Sequence, residues 1–228
     1  MNWIVRFFTS SLGQKYVMSL TGLFLISFLI VHLSGNLQLL VNDGGEAFNV
    51  YAGFMSHNSI VRVISILLYT FIILHAVQGI LLAIYNRKAK GQKYKKGTPA
   101  GATWAAKNMA LLGILIFAFL CIHMGDFWWK MRFTDDLPWV TYPGRHAAVE
   151  DIYSYVRMKF QIEWIVIVYV IGVIALAFHL LHGFQSAFQS LGINHKKYTP
   201  VIKVIGVVFS VVVCAGFALI PVYLYFNQ

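Results

Sequence analysis

Five stretches of about twenty or more apolar residues punctuate this chain, and few structures other than a membrane bundle can accommodate runs that long. A helix rises about 1.5 Å per residue, so about twenty residues cross a hydrocarbon core of about 30 Å. In a helix every backbone N–H and C=O away from the ends is paired within the segment, as lipid demands. The runs lie at roughly 16–41, 61–86, 104–129, 162–190 and 201–226. Their connections carry turn and breaker residues, among them Asn42-Asp43-Gly44-Gly45, Thr98-Pro99 and Tyr142-Pro143-Gly144. Only 11% of the residues are charged and 59% are hydrophobic, against about 25% charged in a soluble domain. The expected fold is therefore all-α, a single domain over residues 1–228 built as an integral membrane bundle of five transmembrane helices. The longest connection, over about 130–161, is aromatic and polar, and an interfacial helix is expected around Tyr153–Phe160.

The net charge of +10 does not describe a nucleic-acid surface, because the Lys and Arg residues sit in short connections between apolar spans. They describe topology instead. Residues 1–15, 87–107 and 192–203 carry twelve basic residues, and the alternate connections carry six, Arg62, Lys130, Arg132, Arg145, Arg157 and Lys159. All eight carboxylates fall on the second side. By the positive-inside rule the N-terminus is expected in the cytoplasm and the C-terminus outside. Residues 1–14 contain Arg6 and no long apolar stretch, so no cleavable signal is expected and the first span should direct insertion. Cys121 and Cys214 lie in apolar runs as small buried hydrophobes, and the absence of CxxC or CxxCH excludes cysteine-held clusters and covalent haem.

Histidine placement carries the chemistry. His57, His146 and His195 fall in connections, where a solvated side chain is sufficient explanation, while His32, His75, His123, His179 and His182 lie inside spans. An ionisable residue at membrane depth is expensive and is a functional candidate by default. Counted from the presumed cytoplasmic edges, His32 and His123 lie about 25 Å deep, and His75 and His179 about 19 Å deep. Four helices thus supply histidines at two levels, which suits two bis-histidine haems. Neutral imidazoles from facing helices can fill both axial positions of an iron. A flat macrocycle also needs small residues beside its ligands. His75-Ala-Val-Gln-Gly79 and His179-Leu-Leu-His-Gly183 both place a glycine on the histidine's own face one turn on. Gly35 follows His32, whereas Gly125 is too close to His123 in sequence to share its face. A lone membrane histidine bonding a neighbouring helix, worth about 0.6 kcal/mol, is the simpler alternative at any one position. A mononuclear zinc or copper site would need its histidines at one depth. His182 competes with His179 as ligand. The glycine at +4 favours His179 and leaves His182 as a haem-edge donor or packing residue.

The chain resembles the cytochrome b subunit of succinate dehydrogenase and fumarate reductase in its single-chain, five-helix, two-haem form. The resemblance covers most of the chain. It rests on Gly13-Gln14-Lys15 through Thr21-Gly22, His32-Leu-Ser-Gly-Asn-Leu37, His75-Ala-Val-Gln-Gly79 and His123-Met-Gly-Asp-Phe-Trp128. It is most specific from Phe178 through His179, His182 and Gly183 to Asn194-His-Lys-Lys-Tyr-Thr-Pro200. The resemblance implies that His75 and His179 hold the haem b nearer the cytoplasm, and His32 and His123 the outer one. It implies a bacterial inner membrane location, with a flavoprotein (FAD) subunit and an iron–sulfur subunit docked on the cytoplasmic face over loop 87–107 and the N-terminal segment. No dicarboxylate site is expected in this chain. Electrons would pass to a quinone, menaquinone being usual for two-haem members. Glu46, Asn49, Tyr51, Arg62 and Trp128, at the outer ends, are candidates for its pocket, with interfacial anchoring as their alternative role. No Asp or Glu lies in the middle of a span, so protons would have to use waters, propionates or neutral side chains.

Three rivals stand beside this reading. The cytochrome b subunit of a formate dehydrogenase or hydrogenase also uses bundle histidines, but the Phe178–Pro200 stretch looks unlike it. A transporter would be expected to show inverted repeats and charged helix centres. A haem-free scaffold leaves four matched histidines without purpose.

Overall fold

The computed structural model describes residues 2–89 and 103–227, and the helix boundaries follow from local chemistry. A short helix, α1 (Trp3–Thr9), ends at Ser10, whose Oγ then accepts the Gly13 N–H at 3.0 Å and starts α2 (Ser11–Asn36). A 3-10 turn, Leu37–Leu40, and the glycine pair Gly44 and Gly45 lead into α3 (Glu46–His57). Then come α4 (Ser59–Ala89), α5 (Trp104–Lys107) and α6 (Met109–His123). A π-helical stretch, Met124–Trp128, joins α6 to α7 (Trp129–Phe133). A two-stranded antiparallel ribbon, β1 (Trp139–Val140) and β2 (Val149–Glu150), precedes α8 (Ile152–Phe160), α9 (Glu163–Ser190) and α10 (Thr199–Phe226).

Helix makes up 82% of the described residues, and five helical segments among them are long and apolar enough to cross a membrane. They are Ser11–Leu40, Ser59–Lys88, Met109–Phe133, Glu163–Ser190 and Thr199–Phe226. The third starts five residues later than the apolar run because Asn108 leaves helical geometry and bonds back to the Trp104 carbonyl at 2.9 Å. The interfacial helix expected at Tyr153 begins one residue earlier, at Ile152. Both α3 and the ribbon were unanticipated. Most of the basic connection 87–107, namely residues 90–102, lies outside the described residues.

Four spans form a ring. α2 packs on α4, α4 on α6, α6 on α9 and α9 on α2, while α10 runs along α9 and touches α2. α9 is the inner member, with 39% of its most apolar window buried against 6% for α4 and α6. The exposed faces of α4 and α6 are rows of apolar side chains such as Ile66, Ile73, Leu111 and Ile114, suited to lipid.

At one end of the ring α3, the ribbon and α8 cover the tips of α9 and α10, enclosing Leu39, Phe48, Ile152, Val156, Phe160, Ile165 and Leu224. A single polar residue organises this cap. Asn49, fully buried, donates through Nδ2 to Tyr142 Oη at 2.8 Å and to Asp151 Oδ1 at 2.9 Å, and accepts the Tyr153 N–H at 2.8 Å. Asp151 in turn caps α8 through the Ser154 N–H at 3.0 Å. Gly45, at φ +89°, makes room for the Tyr153 ring, which any side chain there would strike. Arg157 and Gln161 of α8 serve the end of α10, bonding the Asn227 and Leu224 carbonyls at 2.9 and 3.0 Å.

Replacing Asn49 by Ala strands the Tyr153 N–H in the cap and takes one of two donors from Asp151 Oδ1, which keeps the Ser154 N–H. Thermal unfolding in detergent should register a loss of about 1–3 kcal/mol. Burial pushes the Asp151 carboxyl up, but its bonds from Ser154 and Asn49 outweigh this and hold it below the usual carboxylate range. Its stabilising share is therefore complete above about pH 3.9, the unfolded value, and disappears as pH falls through the lower folded one. In N49A part of that acid-dependent loss should vanish.

Candidate functional site

The ring has two diagonals, and each carries a histidine pair. His32 of α2 meets His123 of α6 with ring centres 5.7 Å apart and planes at 82°. His75 of α4 meets His179 of α9 with centres 6.1 Å apart and planes at 65°. The four candidate residues thus come together in the combinations expected from their depths. Metal–imidazole bonds of about 2 Å on each side of an iron, with about 1 Å from each nitrogen to its ring centre, ask for centres about 6 Å apart. Among the described residues no three or more His, Cys, Asp or Glu converge as a metal site. The histidines meet as pairs only.

The levels are further apart than edge counting suggested. His75 touches Thr21, and His32 lies eleven residues beyond Thr21 in the same helix, or about 16 Å along its axis. On α9, Tyr169 packs on His123 and precedes His179 by ten residues, about 15 Å. The difference of about 6 Å expected from edge counting is smaller than this.

Hydrogen bonding sets the tautomer at one site. Thr21 Oγ1 bonds the Val17 carbonyl at 2.7 Å and lies 3.1 Å from His75 Nδ1. With the hydroxyl proton kept on Val17 the histidine is the donor, which puts its proton on Nδ1 and leaves the Nε2 lone pair free for a metal. Gly22 lets the ring lie against α2, since a Cβ there would come within 3.2 Å of His75 Cε1. His32 differs. Asn36 Nδ2 donates to the His32 carbonyl at 2.7 Å and lies 3.3 Å from His32 Nδ1, which favours the opposite tautomer. Binding through His32 Nε2 requires that long contact to be released. His123 Nδ1 and His179 Nδ1 are buried without a hydrogen-bond partner, as is Gln78 Oε1. Such unpaired groups cost about 1–3 kcal/mol each.

The glycines of the two H-x-x-x-G segments face pliant neighbours. A Cβ on Gly79 would meet only the end of Met18, and one on Gly183 the end of Met109 and the edge of His179, at 3.5 to 3.9 Å. Methionine is the side chain that yields most readily to a bulky planar group. His182, half-buried one turn from His179, makes no hydrogen bond among the described residues. The donor pairs and their spacing suit an iron at each diagonal, and the glycines with pliant methionine neighbours lie at the His75–His179 pair, whereas at His32 the Asn36 contact would have to open and the Gly35 face is taken by Tyr51.

An aromatic wall surrounds the His32–His123 pair. Phe28 stacks on His32 at 5.1 Å and Phe217 of α10 lies 5.6 Å away, while Phe119, Phe127 and Tyr169 ring His123 at 5.7 to 5.9 Å. Gly172 of α9 admits the Phe119 ring. The π-helical stretch begins immediately after His123, and such widened turns recur at functional sites. On it sits Asp126, which accepts from Lys159 Nζ at 2.9 Å and from Tyr169 Oη at 3.3 Å. The sequence reading missed Asp126, Lys159 and Tyr169 as a group. The only signal was an acid one turn past a membrane histidine, because the two partners come from distant helices.

The five residues considered for a quinone pocket each have separate surroundings. Glu46 pairs with Arg145 at 2.8 Å on the surface, and Asn49 is consumed by the cap. Tyr51 packs on Gly35, and Trp128 lies edge-on to Tyr69 and Phe133. Arg62, near the start of α4, is exposed.

Comparison of the chain with family models, curated proteins and solved structures finds no match in any of the three. Function is accordingly read from the residues.

Thr21→Val removes the acceptor for a buried N–H, and thermal unfolding should show a loss of about 1–3 kcal/mol, while Thr21→Ser, which keeps the hydroxyl, should stay within about 0.5 kcal/mol of the parent apart from the lost methyl. Equal losses in the two variants would show that packing, not the bond to His75, matters at this position.

Proposed function

We propose that this chain is a membrane-anchor cytochrome b that binds two haems b and passes electrons between an iron–sulfur subunit and a membrane quinone, as part of a succinate:quinone oxidoreductase. One observation carries the reading: four intramembrane histidines meet as two pairs, on the two diagonals of one helix ring, at spacings suited to one iron each. His75 and His179 would hold the haem nearer the cytoplasm, and His32 and His123 the outer one. Bound there, haem supplies a one-electron ferric–ferrous couple.

The remaining work is done by the protein. Thr21 holds His75 in the ligating tautomer, and Gly22 sets its approach to α2. Phe28, Phe119, Phe127 and Phe217 exclude water from the outer pair. The two pairs stand about 16 Å apart along the helices, roughly half the hydrocarbon thickness. Two one-electron sites at that separation would stand in series across the bilayer.

The charge distribution supports an N-terminus in the cytoplasm and a C-terminus outside, in the bacterial inner membrane. On that orientation the ring end near Thr21 and His75 faces the cytoplasm, where the flavoprotein and iron–sulfur subunits would dock. The quinone, read as menaquinone, would meet the chain at the end covered by α3 and α8. In this reading the chain is the non-dicarboxylate-binding subunit, and succinate oxidation belongs to the flavoprotein.

A dithionite-reduced minus oxidised spectrum of the purified chain, with haem quantified, tests this directly. Two b-type haems per polypeptide are expected, falling to about one in His75→Ala and in His32→Ala, with the surviving species different in the two variants. A folded parent purified from haem-replete cells without haem would refute the proposal.

A further inference from the structure

The cluster around Asp126 is the one concentration of charge beside a histidine pair, and nothing in the relay just described uses it. Asp126 lies one turn beyond His123 within a span, and its side chain is only 16% exposed. Lys159 of α8, 23% exposed, pairs with one carboxylate oxygen at 2.9 Å, and the Tyr169 hydroxyl takes the other at 3.3 Å. Tyr169 is itself buried, and its ring packs 5.9 Å from His123. The carboxylate is thus fastened to the same side chain that walls the His123 niche. Lys159 also sits over the Tyr155 ring at 5.7 Å, and Lys130 faces that ring at 5.6 Å while pairing with the exposed Asp136. The bond to Asp126 holds the Lys159 ammonium above its usual range against the penalty of partial burial. The Lys159 charge therefore persists.

A partly desolvated ion pair is a poor source of stability, because the cost of stripping water from two charges offsets most of their attraction. Its fixed place next to a redox site has a definite electrostatic effect instead. Charges in a weakly polarisable interior act over longer distances than charges in water. An electron added near a carboxylate is disfavoured, and one added near an ammonium is favoured. The other histidine pair, about 16 Å further along the helices, lies too far away to feel either charge equally.

We propose that the Asp126–Lys159 pair, tied by Tyr169 to the wall of the His123 niche, sets the reduction potential of the outer haem. The inference rests on the two-haem reading and specifies which of this chain's residues make the two sites unequal. These are positioning residues, acting through the field at His32 and His123.

The test is a potentiometric titration of the purified haem-loaded chain, following both haems spectroscopically and assigning the outer one by its absence in His32→Ala. Asp126→Asn should raise the outer potential, Lys159→Gln should lower it, and the double variant should return towards the parent. The inner potential should stay put in all three. A merely structural role predicts otherwise, since loosening α6 from α8 and α9 admits water in either variant and moves both in the same direction. Shifts of equal sign, no shift, or equal shifts at both haems overturn the inference while leaving the two-haem reading intact. A folded parent without haem defeats the reading itself, so the two failures are distinguishable.

Discussion

Everything in this structure answers to one constraint, that a polar group placed in lipid must find a partner inside the protein. The backbone meets it by forming helices. Thr21, Ser27, Ser34, Ser65 and Thr70 meet it by turning their hydroxyls back onto carbonyls three or four residues earlier. The histidines cannot meet it locally, because an imidazole has a donor and an acceptor on opposite sides of a rigid ring. One side may reach the home or neighbouring helix, as His75 reaches Thr21, but the other must look across the bundle. Placing four histidines on four spans therefore dictates that the spans form a ring and that the imidazoles meet in its interior.

The long elements were legible because lipid imposes a length and a composition that no local ambiguity can hide. All five spans lie where the apolar runs lie, and the histidine pairing by depth matches the rings that meet. What was illegible has physical causes. α3 is twelve residues long, too short for a search tuned to bilayer thickness, and its buried face of Phe48, Asn49 and Ala52 mixes polar with apolar groups. The π-helical turn after His123 breaks the 3.6-residue period on which any face assignment depends, so Asp126 could not be assigned a direction.

The candidate quinone residues show a different limit. Glu46, Asn49 and Tyr51 were singled out by type and by nearness to one end of the bundle. In the fold, the demand of the cap takes precedence: Asn49 has all its bonds committed to Tyr142, Asp151 and Tyr153, and Glu46 is turned to Arg145. A buried polar side chain with every group satisfied has no capacity left for a ligand without breaking what it holds. By the same criterion the unpaired Nδ1 atoms of His123 and His179 and the Gln78 carbonyl are where binding capacity remains.

The two diagonals solve the same problem with different means, and the difference bears on a relay. At His75 the surroundings are neutral: the Thr21 hydroxyl and Gly22 of α2 lie against the ring, and the glycines one turn on from His75 and His179 face methionine ends. At His32 and His123 they are aromatic and, one layer out, charged, drawn from five separate segments. Two chemically identical cofactors in identical sites would have equal potentials, and electron flow between them would have no direction set by the protein. Unequal burial, hydrogen bonding and charge are the means by which a protein separates such potentials. Here the separation would come from the placement of α8, a helix outside the ring, whose Lys159 reaches inward while its Arg157 and Gln161 hold the end of α10. On the proposed reading, the cap that completes the fold at one end would also be the element that makes the two ends of the relay different.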